Sequence, residues 1–225
     1  VKAGWSNAAL GSVCDILDSR RRPITKRDRQ PGPYPYYGAT GIVDYVHEYL
    51  FSEPLVLVGE DGAKWGAGES TAFQADGLYW VNNHAHVLRP SRDVLDDRWL
   101  VYYLNGTDLQ AFITGLTVPK LNQEKLRAIP VPLPPLPEQK RIVAILDEAF
   151  AGIDAAIANT ENKLERAREI FDGHLDSIFS VRGPGWTESS LGLMNPLIFA
   201  DGCLAAIRLR SVERSCVLET GAKHG

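Results

Sequence analysis

The chain has 225 residues, 44% hydrophobic and 23% charged, with a formal net charge of −4. This suits one sizeable globular domain with an appendage, and the mild acidity counts slightly against nucleic acid as a partner. It excludes a membrane helix, since no run of about 18 apolar residues is present.

The N-terminus, VKAGWSNAAL, lacks the basic-then-apolar pattern of an export signal. The cysteines, Cys14, Cys203 and Cys216, are scattered and form no CxxC pair. Neither a zinc site nor a disulfide framework is expected, and a reducing cytoplasm suits all three.

The net charge hides an asymmetry. Arg20, Arg21, Arg22, Lys26, Arg27 and Arg29 crowd one segment against only Asp28. Pro23 and Pro31 place that segment on a loop. Charge acts over roughly 8 Å at physiological salt, so this segment can attract phosphate whatever the total. Arginine also reads guanine or phosphate in bidentate fashion.

Residues 1–130 are rich in Gly, Pro, Tyr and Trp, with short apolar runs at Leu55–Val58, Leu78–Val81 and His86–Leu88. Runs of this length bounded by turn residues predict short strands. Tyr34, Tyr36 and Tyr37 suit either phosphate contact or packing. Lys64 lies in GEDGAKWGAGES, a Gly-rich stretch that lets backbone approach a phosphate but lacks the closing Gly-Lys-Ser/Thr of a P-loop. His84 and His86 fall on one face of a strand beginning near His84. With no acid or cysteine nearby in sequence, structural hydrogen bonding is the expectation for them, and no metal site. DDRWLVYYLNG (96–106) spaces its apolar residues as a helix that stops at Gly106. Thr117, Lys120 and Asn122 precede a second short helix, whose first amides suit phosphate.

Ile129 to Pro137 holds five prolines in nine residues, and predicts a stiff extended strap over 131–137 that is neither strand nor helix. A proline-free stretch follows over 138–180. Ile142, Leu146, Ala149, Ile153, Ile157, Thr160, Leu164, Ala167, Phe171, Leu175 and Ile178 recur there at steps of three and four. This is the seam of a helix that packs along another helix, a rod roughly 60 Å long. Gly152 and Gly173 weaken it by about 1 kcal/mol each. Since no second long helix is legible, the seam is expected to dimerise the chain.

In 181–225 the text Gly185-Trp186-Thr187 through Leu191-Gly192 repeats Gly4-Trp5-Ser6 through Leu10-Gly11. This predicts the aborted start of a second copy, with a poorly structured tail after it. The fold class is therefore α+β: a mixed domain of short strands and loops, then a long α-helix.

Four stretches together resemble the specificity subunits of bacterial type I restriction–modification enzymes. They are YPYYGATGIVDYV (34–46), VLVGEDGAKWGAG (56–68), NNHAHVLRP (82–90) and VPKLNQEKLRAIPVPLPPLPEQKRIVAILD (118–147). The resemblance implies a target-recognition domain followed by a spacer helix that forms an antiparallel coiled coil. It implies double-stranded DNA as ligand, methyltransferase subunits and a motor-nuclease subunit as partners, and no catalysis or cofactor in this chain. A complete subunit of that kind carries two such domains and two such helices. The chain is then expected to be a half-subunit that dimerises, or a truncated one. The alternative is a coiled-coil assembly module that docks a methyltransferase without reading DNA.

Overall fold

In the computed structural model, the backbone is described for residues 4–115, 117–180, 186–190, 205–208 and 217–221. The chain divides into two compact units, Val1–Ala151 and Gly152–Gly225.

The first unit opens with strand β1 (Ser6–Ala9), one helical turn α1 (Leu10–Val13) and strand β2 (Cys14–Ile16). After the basic segment come β3 (Tyr34–Gly38) and β4 (Gly41–Val46), a hairpin, then β5 (Leu55–Gly59), β6 (Ala72–Ala75), β7 (Trp80–Val81) and β8 (Ala85–Pro90). Helices α2 (Asp97–Gly106) and α3 (Gln123–Ala128) precede strand β9 (Pro130–Leu133) and the long helix α4 (Leu136–Ser180).

The main sheet has order β2-β8-β5-β6, all antiparallel. The run Leu55–Val58 is continuous rather than alternating because β5 is covered on both faces. Val56 and Val58 join the cluster around α2 and α3, while Leu55 and Leu57 face Phe51, Tyr79 and Val87. A smaller sheet, β4-β3-β7, completes the strand layer.

Both expected short helices form where capping residues start them. Asp96 accepts the Arg98 and Trp99 amides, and Asn122 accepts the Lys125 amide. The proline strap differs from its expectation, for β9 pairs with β1. Pro130 and Pro132 alternate with Val131 and Leu133, so the residues that keep an N–H share one edge and can pair. The proline carbonyls face the other way, where Pro132 accepts from Trp99 Nε1 at 3.0 Å and Pro130 from the Tyr103 hydroxyl at 2.6 Å.

The first turns of α4 belong to this unit. Val143 is buried in its core and Ile142 packs against it. Gln139 is fully buried; its side chain accepts from the Asp96 amide and donates to the Val94 and Pro134 carbonyls. Asp147 accepts from Tyr102 and Arg98, and Phe150 stacks on Tyr102. Ile142, placed on the pairing seam by spacing, is thus engaged by its own domain.

The second unit holds the remainder of α4 and a sheet of order β10-β12-β11, with β10 at Trp186–Ser190, β11 at Ala205–Arg208 and β12 at Val217–Gly221. Ile153, Ile157, Leu164, Phe171, Leu175 and Ile178 are all exposed on α4. The repeat has a structural counterpart, since Thr187–Ser190 lies in β10 as the matching Ser6–Ala9 forms β1. Leu191, Gly192, Cys203, Cys216 and His224 lie outside the described residues.

Candidate nucleic-acid interface

Four loops meet at one end of the main sheet, tied together by backbone bonds. Glu60 N–H donates to the His84 carbonyl, Leu121 N–H to the Glu60 carbonyl, and Arg22 N–H to the Val81 carbonyl. The Gly-rich loop after β5 is anchored from within. Trp65 is buried in the core and donates to the Gly59 carbonyl at 3.0 Å, while the Thr71 hydroxyl donates to the Lys64 carbonyl. With Trp65 turned inward, Lys64 is turned outward, 79% exposed and 3.7 Å from Glu69.

The basic segment sorts into two groups. Arg22, Lys26 and Arg27 are exposed, Arg27 to 87%. Pro23 follows a backbone pinned on both sides, since the Arg22 carbonyl accepts from Trp80 Nε1. The other group turns inward. Arg21, only 13% exposed, donates to Glu60 Oε2 at 2.5 Å and to the Ala85 carbonyl at 2.7 Å, and lies 3.3 Å from Asp18. Arg29 lies over the Tyr36 ring and donates to Asp44. Arg20 is exposed, but it lies over the Phe51 ring and donates to the Leu50 carbonyl.

Some residues expected at DNA are therefore committed to the fold. Arg21 sits on internal carboxylates because an ionised acid in a buried site needs a cation, whereas Arg29 pairs with the more exposed Asp44. Tyr36 is 1% exposed, and its hydroxyl bonds both backbone groups of Ile24. Tyr34 is half-buried, edge-on to Tyr49, and Tyr37 packs on Phe73 and Tyr79. Asn122 spends its side chain on the cap and on Thr114, so it covers an amide that was expected to be free for phosphate. Lys120 reaches Glu60 at 2.8 Å and Asp61 at 3.9 Å. Thr117 is exposed on the same loop.

The histidines need correction. The strand begins at Ala85, one residue later than expected, so His84 stays in the turn and is exposed while His86 is buried. Both find acids that sequence distance concealed: Asp61 contacts His84 Nδ1, and Asp18 contacts His86 Nδ1. The strand pairing that sets Gly59 opposite Ala85 carries Glu60 and Asp61 to this turn, which a hairpin register argument could have found.

Asp18, Glu60 and His86 offer ligand atoms within 4.8 Å of one another, spacing that could hold a metal ion. Their atoms already bond elsewhere. Asp18 accepts from Val87 N–H and Gln123 as well as from His86, and Glu60 accepts from Arg21 and Lys120. Burial by itself raises the Asp18 carboxyl, but the His86 hydrogen bond and charge, the Val87 amide and Arg21 outweigh it and hold it below its ordinary value. Glu60 follows the same pattern, with burial opposed by Lys120, Arg21 and His86. The arrangement is an internal ion-pair network that ties the loops together and leaves Arg22, Lys26, Arg27 and Lys64 outward.

Comparison with known proteins agrees with this architecture. The chain is 40% identical over 143 residues to the type I restriction enzyme specificity subunit S.HindORF215P of Haemophilus influenzae, which covers 63% of this chain but 36% of that protein. A chain from a structure of the type I R-M system, solved for its complex assembly and conformational transition, matches with TM-score 0.58 at 25% identity, over 74% of this chain and 44% of that one. The type I restriction-modification S subunit of M. genitalium shares the fold, with TM-score 0.51 at 17% identity, over 84% and 52%. The chain thus spans well under two thirds of the length of these relatives. The family described as type I restriction modification DNA specificity domain matches residues 2–166. The chain therefore belongs to that family, as its sequence motifs implied.

Proposed function

We propose that the chain reads double-stranded DNA in the cytoplasm as the specificity component of a type I restriction–modification system. It directs methyltransferase and motor-nuclease subunits to a bipartite site. The observation that carries this is the sorting of cations: an internal network fixes four loops at one sheet end, while Arg22, Lys26, Arg27 and Lys64 stay outward. Phosphate contacts of that kind position a reader, and the adjoining polar loops meet base edges. The exposed apolar line from Ile153 to Ile178 supports pairing with a second copy as an antiparallel coiled coil. Two copies would then read inverted, identical half-sites.

The test is selection from a randomised duplex pool, followed by titration of the selected and scrambled duplexes at several salt concentrations. Enrichment of a split, inverted sequence is expected, with affinity falling by a log–log slope of about 0.9 per phosphate contact. Equal affinity for every duplex at each salt would leave the assembly-module reading in its place.

A further inference from the structure

The hairpin of β3 and β4 carries two aliphatic side chains that its packing does not use. Tyr36 pairs with Asp44 and Tyr37 with Ile42, so Val43 is the extra residue of a β-bulge. A regular strand would send Ile42 and Val43 to opposite faces. The bulge leaves both in solvent, 46% and 53% exposed. The core of this sheet is formed instead by Tyr36, Val46 and Trp80. Val43 lies across the hairpin, and Gly38 permits it, since a Cβ there would sit 2.9 Å from Val43 Cγ1. Exposed Thr40 completes the tip, in the two-residue turn between Gly38 and Gly41.

Both flanks of this tip belong to the interface described above. On one side, the Ile24 amide donates to the Tyr36 hydroxyl and Arg29 donates to Asp44. Both ends of the Lys26–Asp28 turn are thus fastened to the hairpin, with Lys26 and Arg27 exposed beside it. The acids of that segment are engaged, Asp28 by the Thr25 hydroxyl and Asp44 by Arg29. On the other side, Gly59 leads into the loop that carries Lys64. A Cβ at Gly59 would come within 2.9 Å of the Ala39 carbonyl oxygen, so the hairpin turn rests directly on the start of that loop.

Among the described residues, β7 meets β3 at Tyr36 and Tyr37 alone. Beyond them the tip is a two-stranded ribbon, an element that fits the major groove of B-DNA. Thymine presents its C5-methyl group there, and apolar side chains are its complement. Cations beside the ribbon suit the phosphates that border the groove. We propose that the β3–β4 hairpin enters the major groove and that Ile42 and Val43 read thymine methyl groups. This role rests on the DNA-reading proposal and names the residues and the base through which reading occurs. An apolar pair could also serve a protein partner, but the flanking cations Lys26, Arg27 and Lys64 match a duplex.

Deoxyuridine differs from thymidine only in lacking the methyl group. Each thymine of the selected duplex is therefore replaced by uracil, one position at a time, and affinity is titrated. The unmodified chain should bind about fourfold more weakly at one or more positions of each half-site, the worth of one buried methyl group. That loss should vanish in the Ile42→Ser/Val43→Ser variant, whose affinity for scrambled duplex should equal that of the wild type. A second readout needs no variant: in the wild-type complex, the sensitive thymine methyl should show a nuclear Overhauser effect to Ile42 or Val43.

Equal affinity throughout the uracil series overturns the assignment. So does a selected half-site without an A·T pair, a thymine whose effect persists in the variant, or a sensitive methyl with no Overhauser contact to either side chain. A variant that selects the same sequence as the wild type would leave the pair to a protein partner. If the wild type prefers no duplex at all, the DNA-reading proposal itself fails and the hairpin role falls with it. A wild type that selects a sequence but ignores the uracil series defeats the hairpin role alone.

Discussion

Arg21 and Arg27 stand in one basic run, and neither spacing nor charge separates them. Their surroundings do. Arg21 lies between two carboxylates whose side chains are almost wholly buried, whereas Arg27 is almost wholly in solvent beside Asp28. Removing one partner of a buried pair leaves an uncompensated charge, which typically costs about 3 kcal/mol or more. Arg21→Ala should therefore lower stability by about that amount, read by denaturant titration. Arg27→Ala should change stability by less than about 0.5 kcal/mol, yet flatten the salt dependence of DNA binding by about one contact. The reverse pattern would exchange the roles assigned to them.

The same network sets a pH response at the acid end. Asp18 and Glu60 are held below their ordinary values of 3.8 and 4.5 in the folded chain. The unfolded chain thus binds more protons at pH values near these. The stabilisation is complete above about pH 5 and is lost as pH falls through the folded values. Melting temperature should drop over that window, and Asp18→Asn should flatten part of the slope. At the thiol, burial, helped by Asp97 and Asp15, pushes Cys14 up to about 12. Cys14 should resist alkylation at neutral pH in the folded protein and react on unfolding.

At the scale of elements, α4 shows a change of role along one continuous helix. Its first turns are part of the domain core, fixed by Val143 and by the three bonds of Gln139. Gln139→Ala should cost about 2 kcal/mol, because buried donors and acceptors are left unmatched. Beyond Ala151 its apolar residues are exposed. Charges placed at Ile157 and Leu164 should abolish pairing, because a seam position cannot bury them. Light scattering should give about twice the chain mass for the wild type and the monomer mass for the Ile157→Asp/Leu164→Asp variant. A wild-type monomer at high concentration would refute the pairing.

Strand and helix positions were largely legible because each rests on local signals: an apolar run between turn residues, or a capping side chain before a periodic stretch. The proline strap was misread because pairing depends on which edge carries the N–H groups. That alternation is visible in Pro130-Val131-Pro132-Leu133, but the partner β1 lies far away in the chain. His84 and His86 do make structural hydrogen bonds, but the shared strand face expected for them failed for a similar reason. One residue of strand register separates an exposed turn from the core.

For the whole molecule, the amino-acid sequence by itself determined the family, the α+β class, the order of domain and helix, and the repeat at residue 185. Each of these is written in contiguous motifs or in a period. Only the tertiary structure decided which cations face outward. That choice depends on where Asp18, Glu60 and Asp61 arrive, and strand pairing brings them from distant positions. Charge types are fixed residue by residue, but a charge acquires its role from the neighbour it meets, and that neighbour is a property of the fold.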